Sequence, residues 1–354
     1  MVSCPLFVEL CAGTAALSLR LGREGARPPV SRMGAKTGYA DRILTLLGLV
    51  PGQGAGHYLW CEPDPGVRLL LEAYRDAGLA REAAAIIRSW ADEEPRALWE
   101  RLREEGPPRG VEAGEVARWA RLITANRLIP GRWADDGRWV NAARDGGEHT
   151  IGGVSFGGAD FCTSALDLAE KFEATVGDMP ATITPDARRV DPREVARWIV
   201  RATWSYEQGN IRTGFVGPGD RRQDTTATAT QRAGMGLPAT ITPDARGIEP
   251  GPDLPPGTVA YMDPPYVGTT GYGHDLPRSE VVSLARRWAD AGATVAISEA
   301  EPIGDLVSDG WYVVEVTEQR KGQKRTFSKQ QREFLTMNRK PVEAVGPVMD
   351  LFGE

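Results

Sequence analysis

VAYMDPPYVG, residues 259–268, joins an apolar run to a turn that neither a helix nor a strand interior tolerates. Val259, Ala260, Tyr261 and Met262 read as a strand buried on both faces, the pattern of a parallel sheet. Asp263, Pro264, Pro265 and Tyr266 then stand at its C-terminal end, where open parallel sheets place their ligands. Two successive prolines remove two backbone N–H donors and stiffen the turn, while their carbonyls remain acceptors. Asp263 adds an anionic acceptor, and Tyr266 adds a flat aromatic face. Such a turn suits an amino group held between acceptors beneath a stacking ring.

Downstream, SEVVSLARRWADAG (279–292) has helical spacing, and ATVAISEA (293–300) reads as a strand. WYVVEVTEQR (311–320) and REFLTMNR (332–339) read as two more strands joined by a polar, basic loop. Strand–helix–strand order predicts a mainly parallel sheet, and the last two strands predict an antiparallel hairpin at one edge.

Upstream, PLFVELCAGTAALSLRL (5–21) runs from a strand through Cys11, Ala12, Gly13 and Thr14 into a helix. Glu9 and Leu10 end that strand. Gly13 and its small neighbours let a ligand approach the backbone near a helix N-terminus, although the three-glycine dinucleotide fingerprint is missing. The next strand, HYLWCEP (57–63), ends in Glu62, an acid placed to hold the two hydroxyls of a ribose. Asp244, shortly before the DPPY strand, could accept a hydrogen bond from a nucleotide-like cofactor. Its twin Asp186 leaves that assignment open, since PATITPDAR occurs at both 180–188 and 238–246.

The fold class expected is therefore α/β and Rossmann-like, with the core sheet drawn from residues 1–75 and 236–340. Residues 76–235, rich in Arg, Trp and Gly, read as a mostly helical insertion that would recognise the target. Residues 341–354 form a tail.

Composition bounds the function. At 354 residues, 41% of them hydrophobic and 25% charged, the chain reads as an ordinary globular protein. No apolar run approaches the roughly 20 residues of a membrane span. No basic stretch precedes an apolar one at the N-terminus, so no signal peptide and a cytoplasmic location are expected. Four cysteines without a CxxC pair, and three histidines, suggest no metal site. A net charge of -6 argues against a protein that coats nucleic acid non-specifically, yet a local basic face suffices for a DNA enzyme. Candidates for that face are Arg212 in the middle region and Lys321, Lys324 and Arg325 in the loop between the final strands.

Together these motifs resemble the S-adenosylmethionine-dependent amino-methyltransferases of DNA, in particular the Dam-like adenine methylases. FVELCAGTAAL (7–17) is similar to the family's glycine-containing cofactor loop, and Gly34, Ala35 and Lys36 to its Gly-Gly-Lys segment. In the family that segment precedes the loop; here it follows it. The resemblance implies a class I methyltransferase fold with an antiparallel C-terminal strand. It also implies S-adenosyl-L-methionine as cofactor, held by Glu9, Leu10, Cys11, Ala12, Gly13, Lys36, Glu62 and Asp244. Asp263, Pro264, Pro265 and Tyr266 would be the catalytic turn, and a flipped adenine in DNA the substrate. The same geometry could serve cytosine or RNA, and a silent nucleic-acid-binding module is a reading of another class. The tail ends in MDLF (349–352), which either folds back onto its own domain or resembles the peptides that dock on a replication sliding clamp.

Overall fold

The computed structural model describes residues 4–30, 35–106, 109–124, 131–133, 139–141, 149–151, 154–156, 163–175, 177–195, 254–265, 276–316 and 332–342. The chain begins with β1 (Cys4–Glu9), α1 (Ala16–Gly22), α2 (Ala40–Leu46) and β2 (Ala55–Cys61). Four helices follow: α3 (Pro65–Arg75), α4 (Ala77–Ser89), α5 (Pro95–Glu104) and α6 (Ala113–Ile123). Two short antiparallel ribbons pair β3 (Gly131–Trp133) with β4 (Trp139–Asn141), and β5 (His149–Ile151) with β6 (Val154–Phe156). Then come α7 (Ala165–Glu173), β7 (Ala181–Thr184), β8 (Val259–Met262), α8 (Arg278–Asp290) and β9 (Thr294–Glu299). The last described elements are α9 (Gly304–Ser308), β10 (Tyr312–Glu315) and β11 (Phe334–Met337).

Seven strands form one sheet in the order β10-β11-β9-β8-β1-β2-β7. The pairs β9–β8, β8–β1, β1–β2 and β2–β7 are parallel, and β11 runs antiparallel to both its neighbours. The α/β, mainly parallel architecture agrees with the sequence. Two details differ. The expected antiparallel pair of final strands does stand at one edge, but in reversed order: β10 is outermost and β11 lies between it and β9, with Leu335 and Met337 buried. Moreover, β7 comes from the segment read as an insertion, so the sheet takes one edge strand from within 76–235.

Strand alternation sorts the side chains into two cores. Phe7, Tyr58, Trp60, Val259, Tyr261 and Ala296 face a core shared with α1, α2, α3, α4, α6 and α7. Leu6, Val8, Leu59, Cys61, Ala260, Met262 and Ile297 face the other, covered by α8 and α9. Helix starts follow local chemistry. Asp64 accepts from the N–H groups of Gly66 and Val67 with Pro65 at the first position, and Asp76 and Ser164 cap α4 and α7 in the same way. Helix α6 packs so closely on α3 that a Cβ on Gly66 would lie 1.6 Å from Trp119 Nε1. Among the described residues, no helix is long and apolar enough to cross a membrane.

Candidate active site at the carboxyl edge of the sheet

From β1 the chain moves through β2 to β7 on one side, and from β8 to β9 on the other. The loops after β1 and β8 therefore diverge, and the crevice between them is where open α/β sheets bind ligands. The Gly13 loop lies on one side of this switch point and Asp263-Pro264-Pro265 on the other. The parallel strands β9, β8, β1 and β2 bring Glu299, Asp263, Glu9 and Glu62 to the same edge.

The Gly13 loop is fixed by its neighbours. Leu10 N–H donates to the Tyr261 carbonyl at 2.9 Å, and Ala12 N–H donates to the Cys61 carbonyl at 3.0 Å. Leu10 and Ala12 bury their side chains in the two cores, so their contribution to the crevice is backbone. Gly13 has φ +49° and Ala15 φ +47°, the left-handed region that costs a non-glycine residue roughly 1–2 kcal/mol. Such strain persists where the surroundings over-determine it, often at a ligand site. A Cβ on Gly13 would meet no atom within 4 Å, so the loop faces open space there. Buried Thr14 Oγ1 beside it has no hydrogen-bond partner among the described residues.

Glu62 is buried and joins β2 to this loop. Its Oε2 accepts the Gly13 N–H at 2.8 Å, and its Oε1 accepts the Asp64 N–H at 2.9 Å. Glu9 lies deeper. Its Oε1 accepts both the N–H and the hydroxyl of Ser18, and Ser18 Oγ also accepts the indole N–H of Trp60 at 2.9 Å. Burial pushes the Glu9 carboxyl up to about 7, against the opposing pull of the Ser18 hydrogen bonds, with nearby Asp263 adding to the rise. Burial likewise raises the Cys11 thiol, reinforced by Asp263, Glu62 and Glu299, so Cys11 is a neutral wall of the crevice.

On the β8 side, Asp263 is partly exposed and Pro264 buried. Lys36, only 4% exposed, places Nζ 2.8 Å from Asp263 Oδ1 and 3.4 Å from Glu333 Oε1. The lysine that follows the Gly13 loop in sequence thus reaches the Asp-Pro-Pro turn in space. A 3-10 turn, Lys36–Gly38, carries it there at the entrance to α2. Beneath the turn, Tyr261 and Ser298 share a hydrogen bond between hydroxyls at 2.6 Å.

Glu299 and Glu333 are additions that sequence reading did not supply. Glu299 is paired with Arg278 at 2.9 Å, and burial nevertheless pushes its carboxyl up to about 7. Its signal was present, since ATVAISEA ends a strand in an acid just as HYLWCEP does. Glu333 gave none: among basic and polar neighbours it resembles surface charge. Asp186 lies beyond the end of β7, accepting from Arg188 N–H and pairing with its guanidinium. Its twin Asp244 lies outside the described residues, as do Tyr266, Arg212, Lys321, Lys324, Arg325 and the tail from residue 343.

No protein-family model matches this chain, and no curated protein matches it in sequence.

Proposed function

We propose that the chain transfers a methyl group from S-adenosylmethionine to the exocyclic amino group of a nucleic-acid base, foremost N6 of adenine in DNA. The observation that carries this reading is the switch point: a glycine loop with an acid at the next strand end faces Asp-Pro-Pro across the crevice of a parallel sheet. The reversed β11 between β9 and β10 supports it, being consistent with a class I methyltransferase sheet.

The residues present suit the cofactor. Open space above Gly13 admits a ligand against the backbone, and the Thr14 hydroxyl is a buried polar group in need of a partner. Glu62 accepts backbone N–H groups at this strand end, and a carboxylate there is the group that would hold a ribose hydroxyl. The cofactor supplies a methyl on a positively charged sulfur, which departs as a neutral thioether.

The chain's own part is alignment and charge placement. The Asp263 carboxylate and the Pro264 carbonyl accept the two amino protons, drawing the nitrogen lone pair out of conjugation with the ring. As the nitrogen–carbon bond forms, one amino proton leaves through Asp263 to solvent. A base in a duplex reaches this turn by leaving the stack, at a cost of a few kcal/mol. Stacking on Tyr266 would offset roughly 1–3 kcal/mol of that.

The deciding experiment incubates the protein with methyl-labelled S-adenosylmethionine and unmethylated genomic DNA or total RNA, then digests and identifies the labelled nucleoside. N6-methyladenine from DNA is expected. Label on cytosine or in RNA would redirect the substrate, and no label in any nucleoside would overturn the reading.

A further inference from the structure

We propose that Lys36 is a positioning residue for Asp263, keeping that carboxyl ionised and aimed, and that Glu333 in turn sets the aim of Lys36. The proposal rests on the methyl-transfer reading and assigns the lysine to the catalytic turn rather than to the cofactor.

The argument is geometric. Lys36 is buried, and its ammonium lies between Asp263 Oδ1 at 2.8 Å and Glu333 Oε1 at 3.4 Å. Glu333 is itself buried, immediately before β11, which the sheet holds between β9 and β10. A buried ammonium between two carboxylates has a fixed direction. A flexible surface lysine has none.

Chemistry gives that direction a purpose. Asp263 accepts an amino proton only while it is a carboxylate, since a protonated carboxyl turns one oxygen into a donor. Other acids share its crevice. Glu9, Glu299, Cys11 and Tyr261 are close enough to interact with it electrostatically, and Glu62 borders the same crevice. Like charges at this spacing drive one another toward the neutral form. Lys36 sets a positive charge against Asp263. Accepting from Lys36 does not exhaust a carboxylate, which offers about four acceptor positions.

Lys36 and Glu333 act on Asp263 with opposite sign, and this distinguishes the proposal from a general loss of structure. Losing the lysine charge moves Asp263 toward its protonated form. Losing the Glu333 charge does the reverse, because it removes an anion that shares the lysine with Asp263.

The test measures single-turnover methyl transfer across pH for the intact protein and for Lys36→Met, Lys36→Arg and Glu333→Gln, with cofactor affinity read separately by calorimetry. Lys36→Met should lower the rate at neutral pH by about tenfold or more, move the acidic limb of the profile to higher pH, and leave cofactor affinity within about twofold. Lys36→Arg should restore the position of the limb. Glu333→Gln should move it to lower pH or leave it in place.

The proposal falls if Lys36→Met weakens cofactor binding in proportion to the rate, because the lysine then serves the cofactor. It also falls if both variants shift the limb in the same direction. Should Lys36→Met fail to fold, Lys36→Arg and Glu333→Gln still decide by the position of the limb. If the unmodified protein labels no nucleoside at any pH, the methyl-transfer reading itself has failed, which is distinct from transfer that is indifferent to both residues.

Discussion

Glu62 carries two backbone N–H groups on two oxygens, one of them from Gly13, whose left-handed backbone turns the loop. Replacing it with Ala should raise the dissociation constant for S-adenosylmethionine, because the ribose ligand and the tether of the loop go together. Calorimetry showing unchanged affinity would remove Glu62 from the cofactor site. Asp263→Ala should abolish transfer while leaving cofactor binding nearly intact, since the proposed reading has Asp263 meet the amino nitrogen; more than a tenth of the activity remaining would contradict its role. At this scale the sequence was legible where a residue type follows a strand: Gly13, Glu62 and Asp263 all stand where periodicity and turn chemistry place them. Lys36 was legible as a residue but not as a contact. A segment that comes after the cofactor loop gives no hint that its lysine turns back to β8, because that meeting depends on α2 and the 3-10 turn packing against α1.

Among the elements, α3 and α6 make the tightest approach. Gly66→Ala would drive a methyl into the Trp119 indole, and buried Trp119 has no room to withdraw. Overpacking of this kind costs typically 1–3 kcal/mol, so the variant should unfold at a clearly lower urea concentration with an unchanged denaturant slope. An unaltered midpoint would mean that the helices separate easily. The helices of this region were legible from their 3.6-residue period, and the strands of the sheet from their apolar runs. The order of the strands was not. Local sequence cannot say that β11 passes β10 to reach β9, because the choice is made by which apolar faces remain uncovered once the parallel strands have assembled.

For the molecule as a whole, stability should depend on pH through Glu9. Its carboxyl titrates near 7 in the folded protein against an ordinary value of 4.5. The folded state thus holds this proton more tightly than the unfolded chain does. The resulting stabilisation is fully present below about pH 4.5 and is lost as pH rises toward 7, a loss on the order of 3 kcal/mol. Glu299 contributes in the same direction. Urea midpoints should therefore fall between pH 5 and pH 8, and Glu9→Gln, which keeps an acceptor for Ser18 without the charge, should make that fall shallower. An equal fall in the variant would place the effect elsewhere.

The position of β11 also governs when the molecule can begin to work. Among the described strands β10 pairs with β11 alone, and Glu333, the outer anchor of the Lys36 clamp, immediately precedes β11. While the nascent chain is still on the ribosome, β9 is an uncovered border and β10 has no neighbour until residues 334–337 have been made. The parallel strands precede β11 in the chain and can assemble earlier, whereas the clamp on Asp263 closes only after residues 333–337 have been made. On the methyl-transfer reading, a chain ending before Glu333 would keep the Gly13 crevice and lack the aligned carboxylate, so such truncated products would bind cofactor without reacting.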